Sequence, residues 1–230
     1  MKNFLFCGLF LWSLHGAFSQ SIAPSLAMGI ARPLSGSSPY GLETSGQNYR
    51  QPGFMLDVSL RFRRENTPWG ALFLIRTSSF EFKDDAFKAT HQALQPEGTS
   101  YENVESGHLQ DLQLMVGPTF EALTLGKLRL NFHLLIGGML SHSPRIQLDY
   151  FPGNFIRATD IYPSTTEFGL AAQAGSEISY AMFKAGQFFI RFDLQGVGYF
   201  INDHQSVNGF KPLYVGYSSY NLSFGYSYIF

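Results

Sequence analysis

From Tyr220 to Phe230 the chain alternates strictly: Tyr220, Leu222, Phe224, Tyr226, Tyr228 and Phe230 fall on one face, Asn221, Ser223, Gly225 and Ser227 on the other. Successive side chains of a strand point to opposite faces, so this segment is a strand with one apolar and one polar surface. A sequence that repeats the pattern can fold only as a sheet protein that finds an apolar environment for one side of every strand.

The pattern recurs. Phe54, Leu56, Val58, Leu60 and Phe62 oppose Asp57, Ser59, Arg61 and Arg63, and Leu112, Leu114, Val116 and Phe120 oppose Asp111, Gln113, Gly117 and Glu121. Leu128, Leu130, Phe132, Leu134 and Ile136 oppose Arg129, Asn131 and His133. Phe168, Leu170, Ala172, Ala174 and Ile178 oppose Glu167, Gln173 and Glu177, and Phe188, Ile190, Phe192 and Leu194 oppose Arg191, Asp193 and Gln195. Two segments are less regular: Leu26 to Arg32 is short, and Trp69 to Phe82 is apolar on both faces before Arg76. Together they make eight strands.

The spacers sort by length. Pro33 to Gly53, Lys83 to Gly107, Ser141 to Thr165 and Ile201 to Lys211 are long, while Arg64 to Pro68, Ala122 to Lys127 and Ala181 to Gly186 are short. Every second connection is a tight turn, as in up-and-down membrane barrels with short periplasmic turns and long external loops. The expectation is an all-β, eight-stranded antiparallel up-and-down transmembrane β-barrel, with short periplasmic turns and long extracellular loops.

A soluble all-β domain would turn the apolar face inward. Three features favour lipid outside. The apolar faces run for about five alternate positions without charge, which suits a tilted crossing of about 9–11 residues. Aromatics crowd the strand ends (Trp69, Phe80, Phe82, Phe120, Tyr180, Tyr199, Phe200, Tyr217 and Tyr220), where interface girdles would stand. The chain also stops on Phe230. On this reading a lumen polar network forms from Asp57, Arg61, Asp111, Glu121, Arg129, His133, Glu167, Gln173, Glu177, Arg191 and Asp193.

The first residues read as a targeting segment. Lys2 precedes the apolar run Phe4 to Leu14, and Ala17-Phe18-Ser19 has small residues where signal peptidase reads them. The expected division is a signal peptide at 1–19 and an outer-membrane barrel domain at 20–230. The single cysteine, Cys7, lies within the leader, so the mature chain has no disulfide or thiolate chemistry. Sixteen Lys+Arg against 17 Asp+Glu give no electrostatic case for nucleic acid. No cofactor and no metal are expected.

The terminal run Tyr220-x-Leu222-x-Phe224-x-Tyr226-x-Tyr228-x-Phe230 resembles the C-terminal assembly signal of outer-membrane proteins. With eight strands, the chain resembles the small barrels typified by the transmembrane domain of outer membrane protein A and the PorT-like family. That resemblance implies the cell outer membrane as location. It also implies the barrel assembly machinery during biogenesis, and outer-membrane lipid and lipopolysaccharide as surroundings. It assigns no activity.

An eight-stranded barrel is just wide enough for its own side chains, so the mixed charges read as a mutually neutralising plug. The leading expectation is a non-enzymatic barrel whose loops bind a partner or support an envelope complex, with Tyr101, Tyr150, Phe151, Phe155 and Phe210 as the loop binding surface. The alternative is a narrow channel for small polar solutes. An outer-surface lipid- or peptide-modifying enzyme fits least. Asp84-Asp85 and Asp203-His204 are adjacent pairs, whereas omptin proteases space theirs by one residue. Ser141-His142-Ser143 does not put serine and histidine on one strand face.

Overall fold

The computed structural model describes residues 20–34, 50–64, 67–94, 100–151, 157–183, 185–201 and 213–230. In chain order the strands are β1 (Gln20–Leu34), β2 (Arg50–Arg64), β3 (Trp69–Phe82), β4 (Ser100–Glu105), β5 (Leu109–Leu125), β6 (Leu128–Ser143), β7 (Ile146–Phe151), β8 (Ala158–Tyr162), β9 (Thr165–Ala181), β10 (Gly186–Ile201) and β11 (Leu213–Tyr228). Among the described residues a helix, Asp84–Leu94, lies between β3 and β4.

Eight strands close a barrel in the order β1-β11-β10-β9-β6-β5-β3-β2, every neighbour antiparallel, with β1 returning to β2. The eight alternating segments of the sequence are these eight strands. Several run further than the pattern suggested. β5 reaches Leu125, and the turn to β6 shrinks to Gly126-Lys127, where Gly126 takes φ 60°. That left-handed conformation suits glycine, which has no Cβ to clash.

Prolines sit where their missing N–H does least harm. The β1–β2 register stops at Ala31↔Gly53, just before Pro33 and Pro52 would enter it. Pro24 pairs with Leu60 of β2 but precedes the start of the β1–β11 register at Ser25↔Ser227. Pro24 and Pro33 therefore each meet a ladder on one side only, and Pro52 falls in the register shift between Arg50 and Gly53, outside both of its ladders.

The outward face is apolar. Ile136 is 64% exposed and Leu134 57%, whereas Leu135 between them is fully buried. Leu26, Met28, Phe54, Leu114, Leu170, Ile190 and Phe224 are also about half exposed. An apolar belt around the whole circumference has no place in water. A closed sheet that satisfies its own backbone is one of the two forms that can span lipid. Trp69 and Phe120 pack 4.9 Å apart at the short-turn end.

Among the described side chains, three of the expected girdle aromatics point inward instead. Phe80, Phe82 and Tyr217 are buried. Their parity follows Arg76 and Asn221, which face the lumen, so alternation overrides their position near the strand ends.

The long connections are not merely loops. β4, β7 and β8 form a separate three-stranded antiparallel sheet in the order β4-β7-β8. Its Val104, Ile146 and Leu148 join Phe87 of the helix and Met55, Phe80, Phe82 and Leu109 of the barrel in one buried cluster. Asp84 and Asp85 open the helix, where free N–H groups and the helix dipole favour carboxylates, and Ser106 donates to Asp84 at 2.7 Å. The long-loop end of the barrel is thus capped by ordered structure.

Candidate functional site

The lumen is filled in tiers. At the long-loop end, Arg50 donates to Asp111 through both terminal nitrogens at 2.6 and 2.9 Å, and to Ser141 Oγ at 2.8 Å. Ser141 and Tyr217 each donate to the same carboxylate at 2.7 Å. The guanidinium lies 4.7 Å from the Phe80 ring centre and 4.4 Å from that of Tyr217, within cation–π reach.

The middle tier is larger. Arg76 donates to both oxygens of Asp57, at 2.7 and 2.8 Å, to Asp193 at 2.8 Å and to Gln173 at 2.9 Å. The second Asp193 oxygen meets His133 Nε2 at 2.8 Å. Arg191 and Arg61 flank Glu177 at 2.8 and 2.6 Å, and Arg191 lies 3.6 Å from Asp57. Three arginines and three carboxylates therefore share one buried network. Bidentate and bridging pairs of this kind offset the large cost of desolvating each ion.

Towards the short turns, Arg63 grips Glu121 with both terminal nitrogens, and Thr124 donates to the same carboxylate at 2.6 Å. Arg129 and Asn131 line the cavity beside them. Beside the ion network runs an apolar wall inside the lumen, made of Leu72, Leu74, Met115, Leu135 and Met139 with Ala171 and Val197.

Asp57, Arg61, Asp111, Glu121, Arg129, His133, Gln173, Glu177, Arg191 and Asp193 all lie on the inward face of their strands, and Glu167 is half-buried at the upper rim opposite Ser141. Sequence reasoning missed Arg50, Arg76, Ser141 and Tyr217. Arg50 is hidden by a register shift between Arg50 and Gly53, which turns its side chain against the counted parity. Arg76 is hidden by its neighbours: Leu72 and Leu74 share its face, so no alternation marks β3 as two-sided.

On β11, Leu222, Phe224, Tyr226 and Tyr228 are exposed to the surrounding membrane, as is Phe230 just beyond it, and Tyr220 is partly so. Phe224 stacks on Phe188 with ring centres 5.8 Å apart. Of the loop aromatics, Tyr150 packs against the buried cap cluster rather than standing free, and Phe151 is half-buried. Tyr101 pairs with Tyr150 through the backbone. Phe155 and Phe210, like Asp203 and His204, lie outside the described residues.

The cap carries its own polar cluster. Asp149 accepts from Thr159 at 2.6 Å and from Arg157 at 2.8 Å, and these bonds hold its carboxyl below the usual carboxylate range. The Arg157 guanidinium is pushed up in turn by Asp149 and, further off, Glu102. Among the described residues no cluster of histidine, cysteine and carboxylates is arranged to hold a metal. Ser141 and Ser143 point inward while His142 is exposed and bonded to Thr166 at 3.1 Å, so serine and histidine stand on opposite faces.

No protein-family model matches the chain, and none of the curated proteins does. Among solved structures it is similar to Neisserial surface protein A, at 15% identity over 92% of this chain and 97% of that one, TM-score 0.41. It is similar to Ail of Yersinia pestis at 12% identity over 92% and 97% of the two chains, TM-score 0.44. A major outer membrane protein from Thermus thermophilus shares 11% identity over 92% of this chain and 100% of that one, TM-score 0.46. The architecture, settled by the closed register and the apolar exterior of this chain itself, is that of a small eight-stranded outer-membrane β-barrel.

Proposed function

We propose that this is a non-enzymatic integral outer-membrane protein whose lumen is closed by its own side chains and whose capped long-loop end binds a partner or supports an envelope complex. The reading rests on one observation: Arg76, fully buried, bridges β2, β9 and β10 across the barrel through Asp57, Gln173 and Asp193. A solute could pass only by breaking several charge-assisted bonds at once. Function is then left to the outer end, where an ordered sheet and helix are presented on a rigid barrel.

On this proposal residues 1–19 are the export signal, removed after translocation, and the aromatic face of β11 is read by the barrel assembly machinery. Lipopolysaccharide and lipid surround the belt. Planar-bilayer recording together with crosslinking in native membranes tests the proposal. A silent bilayer and a specific crosslinked partner are expected. Reproducible conductance from the wild type would overturn the closed lumen, and recovery only as a free monomer would overturn the complex.

A further inference from the structure

The ion tiers of the lumen do not all balance. Arg50 and Asp111 match one to one, and Arg61, Arg76 and Arg191 match Asp57, Glu177 and Asp193. At the short-turn end, Arg63 is matched by Glu121, and among the described residues Arg129 has no carboxylate within 4 Å. Arg61, Arg63 and Arg129 nevertheless all line one cavity with Glu121, Asn131, Gln187 and Thr119.

That cavity is about 30 Å³. A single water needs roughly 10–15 Å³ on the same measure, so the space holds about two waters or one monatomic anion. Its wall already contains unsatisfied polar atoms. Arg61 Nε is buried without a hydrogen-bond partner, although the same guanidinium is anchored through Nη2 to Glu177. Three guanidiniums against the one carboxylate of Glu121 on its wall, with an unused N–H donor among them, give this cavity an excess of positive charge.

We infer that the short-turn mouth of the barrel is a binding site for a small monovalent anion of halide size, held between Arg129 and Arg61, which supplies the missing counter-charge. At about 30 Å³ the cavity matches a monatomic anion in size. The site sits at the opposite end of the barrel from the cap and does not depend on what the loops recognise.

The test is equilibrium urea unfolding of the full mature chain in lipid vesicles, at fixed ionic strength, with chloride or bromide replaced stepwise by gluconate. A ligand that binds only the folded state multiplies the folded-to-unfolded ratio by about ten for each tenfold rise in concentration above its Kd. The wild type should show that halide dependence. Arg129→Gln should lose it while remaining folded, and Arg129→Lys should keep it. Bromide anomalous scattering from crystals should place one ion between Arg61 and Arg129. A wild type indifferent to halide overturns the inference, as does a dependence that survives in Arg129→Gln. Glu65 follows Arg64 in the sequence and lies outside the described residues. Should halide dependence arise only in Glu65→Gln, a carboxylate rather than an ion neutralises Arg129, which also overturns it.

Discussion

Arg50 of β2 and Asp111 of β5 form a two-pronged ion pair directly beneath the cap, with the guanidinium resting against the rings of both Phe80 and Tyr217. Both residues are almost wholly buried, and Phe80 also belongs to the apolar cluster that carries the cap. The pair therefore joins the lumen to the loop sheet. Removing one member leaves a buried charge unpaired, which costs about 3–5 kcal/mol. Arg50→Met should lower stability by that order, and limited proteolysis should cut between β3 and β5 sooner than in the wild type. Arg50→Met combined with Asp111→Leu should recover much of the loss.

Asp193 connects Arg76 to His133. Asp193→Asn leaves the middle tier with one uncompensated positive charge, so a loss of about 3–5 kcal/mol is expected in urea unfolding from vesicles. Adding Arg76→Gln restores neutrality and should return part of it. Equal instability of the single and double variants would show that packing, rather than charge balance, dominates the tier.

Gly175 has a steric reason for being glycine. A Cβ there would lie 2.2 Å from Asp193 Oδ1 and 2.5 Å from His133 Nε2. Gly175→Ala must push these two side chains apart, and overpacking of this kind costs about 1–3 kcal/mol. Gly198→Ala on the outer face of β10, where nothing lies within 4 Å, should be close to neutral by the same assay.

Ile136 is at the outside of β6, and its neighbour Leu135 is inside. Placing arginine on the lipid face near the bilayer midplane costs about 2–4 kcal/mol, so Ile136→Arg should fold less well into vesicles by that amount. In a water-soluble barrel the same substitution would be harmless, which makes the measurement a direct check on which side lipid occupies.

The cap should loosen in acid. Folding lowers the Asp149 carboxyl through its bonds to Thr159 and Arg157, so its contribution is present above the ordinary aspartate value of about 4 and fades as pH falls through its depressed value. Amide exchange in β7 and β8 should quicken on going from neutral to strongly acidic solution. Thr159→Val should remove part of that pH dependence.

Strand number, order of turns and which residues face inward were written in the period-two pattern, because a one-residue error would put charges such as Asp57 and Arg191 into lipid. The pattern failed where its assumption failed. The shift before Gly53 reversed the face of Arg50, and the doubly apolar β3 concealed Arg76 among inward leucines. The cap was not legible at all: Ile146-Gln147-Leu148 and Ser100–Glu105 are too short to stand out, and they pair only because the barrel brings their loops together. Tyr150, read as a surface aromatic, is consumed by that packing.

β1 finds its second neighbour in β11, Ser25 against Ser227 through Leu34 against Ser218. Nearly two hundred residues separate these partners, so the ring cannot shut until almost the entire chain has emerged. Until then both outermost strands offer bare N–H and C=O groups to whatever lies alongside, including another copy. Biogenesis of this protein thus carries its greatest hazard at the last step, and whatever shelters β1 while β11 arrives governs its yield.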